Sequence, residues 1–471
     1  MRMESMWAIA ALLCGLPLLA APQDSLEVLS RQAREKMLGG HPAEAAKLYE
    51  QMLKLLPNEA GLRFNLALAL DAAGQPREAL KNLELIRKAE SDNAQFWFLL
   101  GIEYQKLEQP AKAVDPLERA VKLTPTNLDY RLELADAYLT SGASARAAGS
   151  FRALAAERPN DAKILAGLAR SQLAVTSDAY QMLMQVAPGS SYLIALAALA
   201  EVDKGDRAKA ALLYQQALGM QPPAPWLRAE LDGLQGTKAT TSGNADHPLE
   251  QLFRRGDFEG VIARTLASKA PEALYWRARA SSELARASLA RMATLPPSAE
   301  AHELAGLALR QAGRWEDSLV EFREAVKLAP NDLRLRSELA KAQWRSRRFE
   351  EAAILLKQLI ESRPDRGEWQ FELGDSLFNL GQPELALPHL RRAAALLPDE
   401  FPIQAMLGRV LLQTGDSQGA VQALQRAAKH DQDGSIYFQL ANAYRNLGRA
   451  DLARQARVRQ QELEAAAGRR K

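Results

Sequence analysis

Hydrophobic and small residues follow helical spacing twice within residues 94–127. In the first stretch, the positions at i, i+3, i+4 and i+7 share one helical face: Trp97, Leu100, Gly101 and Tyr104. In the second stretch, Ala113, Leu117 and Ala120 share a face. Pro125 follows, and because proline has no backbone N–H it ends the second helix. The pattern predicts two helices that are joined by a short turn.

Small residues recur at intervals of 34 positions, once on each helix of the predicted pair. In the first part of the chain they are Ala33, Ala67, Gly101, Ala135 and Ala169 on the first helices, and Ala45, Ala79, Ala113 and Ala147 on the second helices. In the last part they are Gly306, Ala340, Gly374 and Gly408, with Ser318, Ala352, Ala386 and Ala420. Small side chains let two helix backbones approach closely. Ladders that share one period predict a stack of helix pairs.

The 34-residue unit resembles the tetratricopeptide repeat, whose signature is a Trp, Leu-Gly, Tyr helix followed by an Ala, Phe helix and a closing Pro. Leu117 stands where that family usually has Phe. The resemblance implies an all-α fold, an α-solenoid that forms a right-handed superhelix of about eleven to thirteen helix-turn-helix units in two arrays. It covers nearly all of residues 26–468 and is weakest at 225–298.

The pattern divides the chain into five segments. They are a signal peptide at 1–21, an N-terminal array at 22–235, a flexible linker at 236–248, degenerate repeat-like helices at 249–298, and a C-terminal array with a capping helix at 299–471. The linker is predicted because Gly, Thr, Ser and Asn dominate it and apolar residues are almost absent. Residues 162–190 are too short for a full unit, so we expect a shortened helix pair there with its turn near Thr176–Asp178.

Residues 1–21 resemble a secretory signal peptide, with Arg2 before an apolar run and small residues at Ala20 and Ala21. We therefore expect an exported protein, periplasmic or secreted, with no integral membrane segment after signal removal. The alternative is a lipoprotein anchored through Cys14, although Leu13 occupies a position where a small residue is expected. Cys14 is the single cysteine, so no disulfide is expected in the mature chain.

Composition and motifs argue against several function classes. The net charge is +3, from 60 basic and 57 acidic residues, whereas a nucleic-acid binder concentrates positive charge on one face. The chain has no phosphate-binding glycine loop, nucleophile elbow or dinucleotide fingerprint, and its five histidines are scattered. We therefore expect a non-enzymatic protein with no catalytic residue, cofactor or metal site.

The resemblance also indicates a binding surface, because in the tetratricopeptide fold the first helices line a concave groove. Carried over unit by unit, the predicted peptide-binding residues are Phe64, Phe98, Ile102, Lys341, Trp344, Arg345, Phe371, Asp375, Phe378, Arg409, Phe438, Asn442 and Arg445. Aromatic rings would supply buried area to an extended or helical peptide, while Arg and Asn would bind its backbone or acidic groups. The alternative for these aromatic residues is packing against the adjacent repeat.

The repeat and the signal together favour a scaffold or adaptor that binds protein segments in its grooves. Such a protein would assist the assembly of a cell-envelope or secretion complex. The alternative is an accessory protein of exopolysaccharide synthesis or export, whose groove contacts a glycan-handling partner or the glycan. In that case, Trp344 and Phe371 would stack on sugars. A third class, an enzyme within residues 225–298, has no motif in its favour.

Overall fold

The computed structural model describes residues 22–220, 226–236 and 247–468, and the regular elements in these ranges are all helical. They comprise 25 α-helices and one 3-10 turn at Ala428–His430, which confirms the predicted all-α class. Within the same ranges, no helix is long and apolar enough to cross a membrane. The predicted signal peptide and Cys14 lie outside the described residues. The chain folds as two compact units, and the boundary between them falls after Ser150.

The first unit consists of successive helix pairs. Its helices are α1 (Pro22–Leu38), α2 (Pro42–Leu55), α3 (Ala60–Ala72), α4 (Pro76–Ile86), α5 (Ala94–Lys106), α6 (Pro110–Leu123), α7 (Leu128–Thr140) and the start of α8 (Ser144–Glu157). Helices α2, α4 and α6 each begin with proline, which is favourable at the first helical position because the N–H there needs no helical partner. Helices α5 and α7 begin after Asn93 and Asn127, whose side chains accept bonds from backbone N–H groups.

The second unit continues with longer and shorter helices before the pairs become regular. Its helices are α9 (Ala162–Val186), α10 (Ser191–Asp203), α11 (Arg207–Leu218), α12 (Leu227–Gln235), α13 (Pro248–Arg254), α14 (Phe258–Thr265), α15 (Pro271–Met292), α16 (Ala299–Gln311), α17 (Trp315–Leu328), α18 (Leu333–Arg345), α19 (Phe349–Ser362), α20 (Gly367–Asn379), α21 (Pro383–Leu396), α22 (Phe401–Gln413), α23 (Ser417–Ala427), α24 (Ser435–Asn446) and α25 (Ala450–Gly468).

The small-residue ladders lie where the two helices of each pair meet. All of the alanines in the ladders are fully buried. A Cβ added to Gly101 would lie 2.5 Å from Cγ of Leu117, and one added to Gly374 would lie 2.6 Å from Cγ of Leu390. No side chain fits at these separations, since the closest carbon contacts are about 3.5–4.0 Å. The small residues that the 34-residue period predicts are therefore the ones at which the paired helices are in contact.

The prediction of a shortened helix pair at 162–190 is wrong. Helix α9 runs unbroken from Ala162 to Val186, straight through the expected turn near Thr176. The residues between Gly167 and Pro188 include no glycine or proline, so nothing in the backbone forces a break. The Thr176 hydroxyl donates back to the carbonyl oxygen of Gln172 (3.1 Å), which leaves the helix intact.

Helix α9 pairs with α15, which follows it by about a hundred residues. The two run antiparallel, because Leu165 near the start of α9 packs with Met292 at the end of α15, whereas Leu183 near the end of α9 shares a core with Leu274 near the start of α15. Residues 249–298, predicted as irregular helix pairs, thus comprise the short pair α13 and α14 and the long partner of α9.

Glu303 shows where the regular repeats resume. It is buried on α16 and lies 3.8 Å from Arg170 of α9 while forming an ion pair with Arg334 of α18. Helices α9, α16 and α18 are therefore neighbours in the layer of first helices.

Helix α15 pairs with α9, and its Met292 shares a hydrophobic cluster with Ala301 and Leu304 of α16. Helix α15 is therefore the second helix of the repeat that α9 begins, and helices α10 to α14 are inserted within that repeat.

The inserted helices build a core of aromatic rings. The ring centroid of Tyr192 in α10 lies 6.1 Å from that of Trp226 and 5.8 Å from that of Tyr275 in α15. The ring centroids of Trp226 and Trp276 are 5.7 Å apart. Residues on both sides of the predicted linker thus share one core. Residues 237–246 lie outside the described ranges, so the flexible linker stays a prediction.

Candidate functional site

The predicted groove residues of the second unit lie on the first helices α18, α20, α22 and α24. We call the exposed and half-buried residues of these four helices the first-helix face. Consecutive members of the layer contact each other, so side chains from neighbouring repeats meet there. The first-helix face brings together predicted site residues that lie one repeat apart in the sequence.

Trp344 of α18 is the centre of the first cluster on this face. Its ring meets Phe371 of α20 edge-on, with ring centroids 5.8 Å apart and an interplanar angle of 76°. Its indole Nε1 donates to Oδ2 of Asp375 (2.6 Å), and the amide of Asn379 donates to Oδ1 of Asp375 (3.2 Å). Trp344 and Phe371 remain half-buried. The rings therefore pack against the adjacent repeat and still present surface.

Two arginines of the predicted site lie over aromatic rings. The guanidinium of Arg345 is 4.7 Å from the ring centroid of Trp344 and 5.5 Å from that of Trp315. The guanidinium of Arg409 is 4.9 Å from the ring centroid of Phe378. Both arginines are exposed. The attraction between a cation and a ring face does not use the N–H groups of the guanidinium.

A cavity of about 810 Å³ lies at the C-terminal end of the face, between α22, α24 and α25. Three predicted residues line it, Arg409, Phe438 and Asn442. The other lining side chains are mostly amides and acids: Leu412, Gln413, Asp433, Ser435, Gln439, Asn446, Gln460 and Glu464. Phe438 is 41% exposed and lies 4.5 Å from the guanidinium of Arg457. The cavity thus combines one open aromatic ring with many hydrogen-bonding groups.

Helix α25 is held against this cavity by Gly434. Gly434 precedes α24 with φ of 85°, a conformation that other residues adopt only with strain. A Cβ there would lie 2.7 Å from the backbone oxygen of Gln460, so only glycine allows this approach. Sequence reasoning treated α25 as a cap alone and missed Gln460 and Glu464 as lining residues. No local signal marks them, because the cavity forms between repeats.

Burial changes the acidity of two carboxyl groups beneath the face. Burial raises the pKa of Glu372 to about 7, although Lys341 and Arg345 oppose the shift. Burial also raises the pKa of Asp375, and the hydrogen bonds from Trp344 and Asn379 oppose that shift. Lys341 is half-buried, and its positive charge lies close enough to Glu372 to favour the ionised carboxylate.

The remaining predicted residues differ in exposure. Arg445 is exposed and contacts the amide oxygen of Asn442. In the first unit, Phe64 is only 9% exposed and packs with Phe96 at 6.3 Å. Phe64 therefore packs against the adjacent repeat, as in the alternative considered for the aromatic residues. Phe98 stacks on Tyr130 at 4.4 Å and, like Ile102, is half-buried.

Within the described ranges, no group of three or more His, Cys, Asp or Glu side chains could hold a metal ion. His302 contacts Glu321 (2.8 Å), and His389 contacts Gln370 (2.8 Å). Burial lowers the pKa of His389. These two histidines are therefore parts of helix-pair packing.

Sequence profiles of the tetratricopeptide repeat match this chain in four forms. One matches residues 98–162 and 337–401, a second 37–101 and 377–442, a third 299–332 and a fourth 434–456. Together they span more than half of the chain. The chain belongs to the tetratricopeptide repeat family. It is accordingly a protein-interaction scaffold, and the fold is one that typically carries no enzymatic activity.

Solved tetratricopeptide structures resemble parts of this chain. MamA from Desulfovibrio magneticus RS-1 is 19% identical, with a TM-score of 0.33, over 36% of this chain and 96% of that one. MamA MSR-1 is 21% identical, with a TM-score of 0.33, over 35% of this chain and 96% of that one. YrrB, a TPR protein with an unusual peptide-binding site, is 18% identical, with a TM-score of 0.32, over 36% and 87%. No curated protein sequence matches the chain significantly.

Proposed function

We propose that this tetratricopeptide protein binds a segment of a partner protein on the first-helix face of its second unit. The main support is the cavity of about 810 Å³, which has the size of a typical ligand pocket (about 300–1,000 Å³) and lies beside the open ring of Phe438. Its amide side chains, among them Gln413 and Asn442, offer both donors and acceptors to a peptide backbone. The Trp344–Phe371 pair extends the apolar surface along the same face.

Site-specific crosslinking tests this function. A photo-reactive amino acid replaces Gln413 at the cavity, and a matched control replaces Arg392, which is exposed on the second helix α21. We expect a discrete protein to be captured in the native cells from position 413 and not from 392. The capture should decrease in a Phe438→Ala background, which removes the open ring. Equal captures from both positions, or none that depends on Phe438, would refute the proposal.

We further propose that the protein is exported and that its partner belongs to a cell-envelope or secretion complex. The support is the signal-like sequence of residues 1–21, with Arg2 before an apolar run. Cell fractionation and N-terminal sequencing test this step. A mature chain that begins near residue 21 supports cleavage, whereas a lipid-modified N-terminus at Cys14 supports the lipoprotein alternative. An intact N-terminus in the cytoplasm would overturn both.

The exopolysaccharide role is the competing proposal for the same face. Half-buried rings such as Trp344 and Phe371 are surfaces on which sugars stack. In the crosslinking experiment, capture of a glycan-handling enzyme or of carbohydrate at position 413 would favour this role over envelope assembly.

A further inference from the structure

This inference rests on the function proposed above and concerns the chemistry of the bound segment. We propose that the first-helix face takes a protein segment with acidic side chains, whose carboxylates bind Arg345 and Arg409. The two arginines lie two repeats apart along the face, on either side of the carboxyl group of Asp375.

Several charged groups near the face form ion pairs within the protein. Glu338 pairs with Arg310, and Glu303 pairs with Arg334. Glu368 lies 3.8 Å from Arg366. These groups are neutralised in place, so they contribute little net charge to a partner.

Arg345 and Arg409 are different. In the part of the chain that the structure describes, neither has a carboxylate within ion-pair distance, and each contacts aromatic rings instead. Asp375 is near enough to both for their charges to lower its pKa, but its two oxygens accept hydrogen bonds from Trp344 and Asn379. The N–H edges of both guanidinium groups therefore remain open to a ligand.

The rings also reduce the freedom of these two side chains. A guanidinium that already packs over a ring has lost part of its side-chain entropy, so binding a carboxylate through two parallel N–H groups costs less. Arg345 lies close to the rings of Trp315 and Trp344, and Arg409 lies over the ring of Phe378. The same rings offer apolar contact next to each charge. The face thus fits a segment in which acidic and apolar side chains are interspersed.

A phosphate-rich polymer or an anionic membrane fits less well. Guanidinium groups bind phosphate too, but such partners are held by many cations spread over a surface. Arg345 and Arg409 are single guanidinium groups set among rings rather than parts of a broad basic surface, and the chain's charge is nearly balanced at +3. We therefore favour a protein segment and treat the phosphate-bearing partners as outcomes of the test.

Peptide selection on the full-length protein tests the inference. A phage-displayed library of random dodecapeptides is selected on the immobilised chain, and the affinity of each selected peptide is measured by fluorescence anisotropy. Each is compared with a version in which Asp and Glu are replaced by Asn and Gln.

The charge variant combines Arg345→Gln with Arg409→Gln. The matched control combines Arg392→Gln with Arg426→Gln, which removes two exposed arginines from second helices. Phe438→Ala tests the face independently of charge.

We expect selected peptides to be rich in Asp and Glu. Their affinity should fall roughly tenfold or more in the charge variant and in the amide versions, and should stay unchanged in the control variant. It should also fall as salt concentration rises, because exposed charges are screened.

The two proposals fail in different ways. Peptides that lose affinity in Phe438→Ala but not in the charge variant would overturn the acidic partner and leave the proposed function standing. Peptides indifferent both to Phe438→Ala and to the charge variant, or no selected peptides at all, would overturn both. Binding of duplex DNA or phosphatidylglycerol vesicles that the charge variant abolishes, without acidic peptides in the selection, would replace the protein segment by a phosphate-bearing partner.

Discussion

The hydroxyl of Thr176 in α9 lies 3.3 Å from the backbone carbonyl oxygen of Ala278 in α15, although 102 residues separate them, and its one proton is shared between this oxygen and that of Gln172. This contact lies near the middle of the antiparallel pair of α9 and α15. The chain leaves the repeat after α9 and returns to it with α15. In the described part of the chain, helices α10 to α14 lie between α9 and α15 in sequence, so they are inserted into one repeat rather than added after it. In the second unit, the helix that pairs with α9 is therefore α15 and not the next helix in the sequence.

A proline at position 177 tests whether α9 is continuous. Ser177 is exposed in the middle of the helix, so its replacement removes no core contact. Ser177→Pro should lower the free energy of unfolding by about 3 kcal/mol or more, because proline removes a helical hydrogen bond and clashes with the preceding turn. Ser177→Ala should stay within about 0.5 kcal/mol of the wild type. Urea denaturation followed by circular dichroism measures both, and equal midpoints would mean that the helix breaks here.

The sequence could predict the regular repeats because each is a local pattern. The 34-residue ladders place Gly101, Ala113 and their equivalents at close helix contacts, and the structure has them there. It could not predict the pairing of α9 with α15, since that contact has no fixed spacing and the expected turn near Thr176 was inferred from length alone. Length constrains how many residues a unit has, but it does not say which distant helix completes the unit.

Two glycines in the first unit should respond oppositely to the same substitution. Gly101→Leu should cost at least about 1–3 kcal/mol of stability, because a side chain there meets Leu117 and the Ala113 carbonyl. Gly149→Leu should be neutral or stabilising by up to about 1 kcal/mol, since nothing lies within 4 Å of an added Cβ and leucine is the better helix former. Thermal unfolding of the two variants provides the comparison. Equal losses would contradict the register of the helix pairs.

The candidate site was predictable only in part. The repeat register assigns Trp344, Phe371 and Asp375 to one surface, and they do lie together. It does not show that Asp375 is buried, nor that its carboxylate is bound by an indole one repeat away. Those facts depend on rotamers and on the distance between first helices. The part of α25 that lines the cavity was missed for the same reason.

The Trp344–Asp375 hydrogen bond should be measurable as a coupling energy. Trp344→Phe keeps most of the apolar contact with Phe371 but leaves Oδ2 of the buried Asp375 without its indole donor, which should cost about 1–3 kcal/mol. Asp375→Asn removes the charge and keeps the shape. In the double variant, the two losses should be less than additive, with an interaction energy of about 0.5–3 kcal/mol. Strict additivity in urea denaturation would mean that the bond contributes nothing to stability.

Glu372 should make the protein less stable as the pH rises towards neutrality. Burial raises its pKa from 4.5 to about 7, so the folded state favours the protonated carboxyl group. Below pH 4.5 this group is protonated in both states and its stabilising contribution is fully present. The contribution is lost as the pH rises through about 7, because the unfolded chain ionises first and the folded chain must then hold a buried charge.

Glu372→Gln isolates this effect because glutamine keeps the shape and never ionises. At about pH 4 the variant and the wild type should unfold at similar urea concentrations, and at about pH 8 the variant should be more stable by on the order of 3 kcal/mol. Glu384→Gln, an exposed position on α21, provides the control and should leave the pH dependence unchanged. A constant difference between Glu372→Gln and the wild type across this range would show that Glu372 ionises as freely in the folded protein as in the unfolded chain. The carboxyl group of Glu372 would then be open to water, contrary to its 5% exposure.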